Sequence, residues 1–325
     1  MINLPQISVL MPVYNCESYI AEAVESILNQ TFSDFELLII DDCSTDNTVS
    51  IIKSYNDSRI NLIVKPINSG YTNSLNYGLT IAKGEFIARM DGDDISLPTR
   101  FEEQIKVLSN NLKVIVCGTN ASIIGSEQDI IKPEKHETIF ANMIVSNPII
   151  HPSVIIRKSV LDNLEYDKLK EPAEDFDLWT KLIWKGDFYN IQKKLLLYRV
   201  HENNITKIKN KTQKDNVYNS RSKFICKINS DISHFDTEVF KKYFFEIENI
   251  SKKDFILINT VFKNIKRTNK FSKIQTQELI KIVNSANDEL LSNFCKNNKL
   301  NISITILNQL SMIQCIKWVK YSLFN

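Results

Sequence analysis

Wholly apolar runs alternate with amphipathic ones through the first ninety residues, and this rhythm constrains the fold more than any other feature. ISVLMPVYN (7–15), FELLIIDD (35–42), INLIVKP (60–66) and EFIARM (85–90) are apolar along their length rather than at every second position. Such strands are buried on both faces, as in a parallel sheet with helices on either side. Between them, CESYIAEAVESILNQ (16–30) places Tyr19, Ile20, Ala23, Val24, Ile27 and Leu28 at helical spacing. TVSIIKSY follows a Ser/Thr/Asp stretch in which Asp46 or Ser44 can cap it, and SGYTNSLNYGLTIAK (69–83) reads as a helix after a glycine turn. The expected class is α/β, with a mainly parallel sheet flanked by helices.

In sheets of this kind ligands bind at the carboxyl ends of the strands. Tyr14, Asp41, Asp42, Asp91 and Asp93 fall at that edge, on three different strands. Asp91-Gly92-Asp93-Asp94 crowds three like charges, a cost that needs an offset. A solvated turn capping the helix LPTRFEEQIKVLS is one reading. The other is a site for Mg²⁺ or Mn²⁺, hard cations that take carboxylates together with substrate phosphates. A second acidic strand end, Asp41-Asp42, on the same edge favours the cation–diphosphate reading, with a nucleobase or ribose as the hydrogen-bond donor to that pair. Asp175, beside Glu174 where EDFDLWTKL turns helical, reads either as a helix N-terminal acid or as a base for an acceptor hydroxyl. His151 and His201 read alone as packed or surface imidazoles, and Trp179 and Trp184 as core.

The 325 residues suffice for one large α/β domain and a smaller part, and 43% hydrophobic with 24% charged residues is globular composition. A net charge of +2 conceals an asymmetry: residues 206–325 carry 21 Lys+Arg against 10 Asp+Glu, the first 205 carry 19 against 28. The back part, rich in Lys, Asn and Ile, reads as several helices. Its charge suggests peripheral contact with an anionic membrane face, and dimerisation through these helices is the alternative. The run KNIKRTNKFSK (263–273) reads as a solvated face, so no nucleic-acid partner is expected. The apolar tail 302–325 reads as a core helix or an interfacial anchor. Six scattered cysteines without a CxxC or a Cys/His cluster argue against structural zinc and a disulfide framework. With no signal-like N-terminus and no run long enough to span a bilayer, a cytoplasmic location is expected, with the inner membrane face as a docking place.

These blocks together resemble family 2 glycosyltransferases, which have the GT-A fold, a Rossmann-like sheet. The resemblance rests on ISVLMPVYN through DDCSTDNT, then NSGYTNSLNYGL, GEFIARMDGDDISLPTRFEEQ, HPSVIIRKSVL, EDFDLW and YRVHENNIT, in that order. It covers residues 5–205 and implies a GT-A domain over 1–205, followed by a basic, mainly helical region over 206–325. It further implies an inverting, metal-dependent enzyme. Such an enzyme moves a sugar from a nucleotide-sugar donor, here a UDP-sugar, to a saccharide or lipid-linked hydroxyl in surface polysaccharide biosynthesis. The competing reading is a non-catalytic nucleotide-sugar-binding subunit of an assembly complex. By the resemblance Pro12 and Tyr14 contact the base, Asp42 hydrogen-bonds it, and Asp41 supports the loop or the ribose. Asp91 and Asp93 form the DxD motif, Asp91 toward the ribose or the metal and Asp93 on an Mn²⁺ or Mg²⁺ ion. Asp94 supports the loop, Asp175 is the base, and His201, grouped with the metal residues, falls in a segment that closes over the diphosphate. Many relatives carry a basic residue where this chain has Asn73, so Lys65 or Arg100 is expected to supply a phosphate contact instead.

Overall fold

A computed structural model describes residues 4–201 and 210–298. The apolar tail 302–325 and the end of the YRVHENNIT block lie outside the described residues. The described chain divides into two units: one runs to Ile139 and resumes over Asn147–Val217, the other combines Phe140–Ser146 with the chain from Tyr218.

In the first unit the expected rhythm is present. Strands β1 (Ile7–Val13), β2 (Phe35–Asp41), β3 (Ile60–Val64) and β4 (Phe86–Arg89) alternate with helices α1 (Ile20–Leu28), α2 (Thr48–Lys53) and α3 (Tyr71–Ile81). β1, β2 and β4 are buried at nearly every position. That matches their continuous apolar sequence. Helix α1 buries Ile20, Ala23, Val24 and Ile27 completely against this core. Each large aliphatic side chain contributes roughly 1.5–3 kcal/mol by burial, so Ile27→Asp would unseat the helix.

Beyond β4 the direction of the strands becomes mixed. A short β5 (Ile95–Ser96) and helix α4 (Arg100–Asn110) lead to β6 (Val114–Ile123), β7 (Asp129–Ile130), helix α5 (His136–Asn142), β8 (Ile155–Arg157), helix α6 (Glu174–Leu182) and β9 (Asp187–Tyr198). The sheet order is β3-β2-β1-β4-β8-β6-β9-β5, with β7 on β6. The β1–β2, β1–β4 and β2–β3 pairs are parallel, whereas β8 is antiparallel to both β4 and β6, and β5 is antiparallel to β9. Sequence patterning missed this because β5 and β8 are too short to show a period. The β5–β9 ladder pairs Ile95 with Leu197. It thereby delivers the chain after β9 onto the acids that precede β5.

The second unit is helical: α7 (Asn210–Ile228, which begins in the first unit), α8 (His234–Phe245), α9 (Lys252–Lys266) and α10 (Lys273–Asn298). Its core is aromatic, with Phe140 set edge-on to Phe224 at 5.1 Å and Phe240 to Phe262 at 5.0 Å. Buried Arg221 donates to the Met143 carbonyl at 3.1 Å and lies over the Phe244 ring. Among the described residues no helix is long and apolar enough to cross a membrane.

Candidate active site

Asp91, Asp93 and Asp94 bring one carboxylate oxygen each to within 4.8 Å of one another. Several bonds offset their repulsion. Arg89, the last residue of β4, donates to Asp91 Oδ1 at 2.5 Å. His201 Nε2 meets Asp93 Oδ2 at 2.8 Å. The Arg199 backbone N–H donates to Asp94 Oδ1 at 2.8 Å, and its guanidinium reaches the Asp93 carbonyl at 2.7 Å and Glu22 at 2.7 Å. Tyr19 carries this closing segment, with its ring 4.7 Å from the Arg199 guanidinium and stacked on His201 at 5.1 Å. Burial and the Asp91 charge raise the Asp93 pKa, and burial with the Asp91 and Asp93 charges raises that of Asp94 well above the carboxylate range. The inner Asp94 oxygen, Oδ2, is buried without a hydrogen-bond partner. A hard-oxygen donor set with an unsatisfied buried member fits a divalent cation, and the hydrogen bonds above use only one oxygen each of Asp91 and Asp93.

Gly92 has a steric reason. A Cβ there would sit 2.8 Å from Val13 Cγ1, so only glycine lets the acidic turn press against β1. Buried Gln30 fastens the following segment, donating to the Ser96 hydroxyl at 3.0 Å and the Leu97 carbonyl at 2.9 Å while accepting from Phe101 N at 3.1 Å.

At the neighbouring strand ends Pro12 is buried within β1, and Tyr14 just beyond it is 47% exposed. Asp41 is fully buried and accepts from the Ser44 N–H at 3.0 Å. Asp42 accepts from Lys65 Nζ at 2.6 Å, Ser69 N at 3.0 Å and Gly70 N at 2.8 Å. Burial works against these bonds, and their net effect holds the carboxyl below its ordinary value. Lys65 also donates to Ser69 and Ser74, while Asn73 donates to the Ser69 carbonyl. Arg100 is enclosed elsewhere: its guanidinium donates to the Pro152 carbonyl at 2.7 Å and the Arg89 carbonyl at 3.3 Å, and burial lowers its pKa to about 9. Its hydrogen bonds hold the backbone that precedes the acids.

Asp175 lies in the first turn of α6 beside Glu174. Burial raises the Asp175 pKa, opposed by the Phe176 backbone N–H and by the Asn147 amide, which donates to Oδ2 at 3.0 Å. Burial and the Asp175 charge push Glu174 up to about 8. His151 packs edge-on to buried Trp179 at 5.8 Å and meets the Tyr166 hydroxyl at 3.0 Å. Burial, with the Arg89 charge, holds it well below the usual imidazole range. Sequence reasoning passed over Arg89, Arg199 and Asn147. It read Tyr19 as part of the apolar face of the first helix, whereas Tyr19 precedes that helix and packs on Arg199 and His201. For Arg89 a signal was present, namely a lone cation ending an apolar strand beside three acids.

Residues 8–170 match the sequence profile of Glycosyl transferase family 2. The O-antigen biosynthesis glycosyltransferase WbnJ of Escherichia coli is 34% identical over 216 residues, covering 63% of this chain and 83% of the relative. The E. coli UDP-Glc:alpha-D-GlcNAc-diphosphoundecaprenol beta-1,3-glucosyltransferase WfgD is 32% identical over 178 residues, 54% of this chain and 69% of the relative. In structure, Staphylococcus aureus TarS 1–349 in complex with UDP-GlcNAc is similar in fold, with a TM-score of 0.62 at 18% identity, over 92% of this chain and 94% of that one. The chain belongs to glycosyl transferase family 2. It is a glycosyltransferase related to enzymes of O-antigen and polysaccharide synthesis.

Proposed function

We propose that this enzyme transfers a sugar from a UDP-sugar to a hydroxyl of a saccharide or lipid-linked acceptor, with inversion at the anomeric carbon and dependence on a divalent cation. The observation that carries the reading is the convergence of three carboxylate oxygens within 4.8 Å at a strand end of this fold. Asp91 and Asp93 would hold Mn²⁺ or Mg²⁺, which when bound neutralises charge on the departing diphosphate. Tyr14 offers an exposed ring on which a nucleobase stacks. Asp42, with Lys65 beside it, faces the base, Asp41 braces the loop, and His201 holds Asp93 in place. Asp175 takes the proton of the acceptor hydroxyl as that oxygen attacks, and the UDP leaves on the opposite face. Inversion needs one such base and no enzyme nucleophile. A relative named as making a beta linkage from UDP-Glc supports both the donor class and the inversion. Arg100 has no part in this mechanism, because its guanidinium is committed to backbone carbonyls. A domain boundary near residue 205, where the family resemblance ends, and membrane contact through 206–325, from its excess of basic residues, belong to the same proposal.

The test is UDP release from a panel of UDP-sugars with Mn²⁺ and saccharide acceptors. Wild type should turn over in the presence of the cation and stop with EDTA. Asp93→Ala or Asp175→Asn at wild-type turnover would overturn the mechanism.

A further inference from the structure

Asn147 lies outside every motif named above, yet its amide is the only side-chain group among the described residues that donates directly to Asp175. Its orientation is fixed by two bonds. Oδ1 accepts from the Ile149 N–H at 3.3 Å, so Nδ2 must face the carboxylate, where it donates at 3.0 Å. The backbone carrying it is itself held: Lys132 Nζ donates to the Asn147 carbonyl at 2.7 Å, and the Lys132 N–H donates to Asn120 Oδ1 on β6 at 2.8 Å. One further side chain ties both segments together. Fully buried Asn190 of β9 donates to the Pro133 carbonyl at 2.7 Å and to the Pro148 carbonyl at 3.0 Å. Gly118, opposite it on β6, leaves the space that Asn190 Oδ1 fills.

We infer that Asn147, tied down by Lys132 and Asn190, is the positioning residue for the Asp175 carboxylate. The inference rests on the reading of Asp175 as base. A carboxylate in the first turn of a helix can rotate about its own side chain, and one amide on one oxygen fixes which oxygen is presented to the acceptor. The same bond favours the ionised form, because the amide N–H stabilises negative charge. Other titratable groups act on this carboxylate: Arg89 and Lys132 as cations, Glu174 and Tyr166 as its acidic neighbours. Removing the amide leaves those unchanged and raises the Asp175 midpoint.

The experiment is a ¹³C NMR titration of carboxyl-labelled aspartate in the full chain, with the Asp175 signal identified by its loss in Asp175→Asn. Calorimetry with UDP and Mn²⁺ runs alongside. In Asn147→Ala the midpoint should rise by on the order of one pH unit, with UDP affinity within about twofold. UDP release from the UDP-sugar that wild type turns over should then fall about tenfold at a pH well below the wild-type midpoint. Asn147→Leu, which removes the amide at similar volume and changes no charge, should move the midpoint the same way, and it serves if Asn147→Ala does not fold. A folded Asn147→Ala or Asn147→Leu with the wild-type midpoint overturns the inference. Turnover by Asp175→Asn would instead overturn the catalytic reading, whatever the midpoints do.

Discussion

The first unit surrounds its Asp91–Asp94 cluster and its Glu174–Asp175 pair with different partners. The Asp91–Asp94 cluster is met by cations and donors on several sides: Arg89 on Asp91, His201 on Asp93, and the Arg199 backbone on Asp94. The Glu174–Asp175 pair instead starts a helix, with Glu174 buried and Asp175 half-buried. The donors on Asp175 are neutral, the Asn147 amide and the Phe176 N–H, and Glu174 Oε2 has no hydrogen-bond partner. Burial raises carboxyl pKa values in both, but the first is ringed by partners that suit a bound cation, and the second has the neutral surroundings of a group that exchanges a proton. A carboxylate that binds a cation must stay ionised, whereas a base works best when its pKa is lifted towards the working pH.

The sharpest way to break this comparison is to neutralise each group in turn. Asp175→Asn should cost roughly 10³-fold or more in turnover while leaving nucleotide binding in place. Asp93→Ala should lose turnover to a similar degree, together with cation-dependent nucleotide affinity, and calorimetry separates the two. Next in size is His201→Ala. Freed of its 2.8 Å partner, Asp93 loses its orientation, and the apparent Mn²⁺ affinity should drop roughly 10- to 100-fold, read from UDP release against Mn²⁺ concentration.

Two smaller effects concern the base side. The pKa of Asp175 is raised in the folded enzyme, so turnover should climb with pH through a midpoint above the ordinary carboxylate value, and a midpoint at or below that value would contradict the assignment. Glu174 affects stability with a definite sign. Its folded pKa of about 8 lies above the ordinary 4.5, so between those values the folded state keeps a proton that the unfolded state has lost. Stability therefore declines as pH rises through that window. Glu174→Gln, which imitates the protonated form, should melt like wild type near pH 4 and above it near pH 8. A melting difference that shrinks as pH rises would contradict the sign.

Local patterning reached one half of the first unit and stopped at the other. β1, β2 and β4 were legible because burial on both faces leaves an uninterrupted apolar run, and α1 because four buried positions fall at helical spacing. β3, the edge strand, is apolar in sequence but partly exposed along its length, so the expectation of burial on both faces did not hold there. β5, β7 and β8 have two or three residues each, too few to carry a period, so the antiparallel part of the sheet was invisible. The same asymmetry marks the site. Asp91, Asp93 and Asp94 announce themselves by adjacency, but what steadies them arrives from 105 or more residues away through Arg199 and His201. Asn147 meets Asp175 across 28 residues of chain, and no spacing rule connects an asparagine before a proline with an acid at a later helix start. Arg100 teaches the converse. A cation near an acidic motif looked like a phosphate ligand, whereas its place at the first position of α4 turns it into the core.

The division of labour between the two acidic groups is tested most directly by calorimetric titration of Mn²⁺ and UDP into Asp93→Ala and Asp175→Asn side by side. The account predicts that Asp175→Asn binds UDP as wild type does and only with the cation present, while Asp93→Ala shows no cation-dependent binding. Cation-dependent binding that survives in Asp93→Ala, or that disappears in a folded Asp175→Asn, would contradict it.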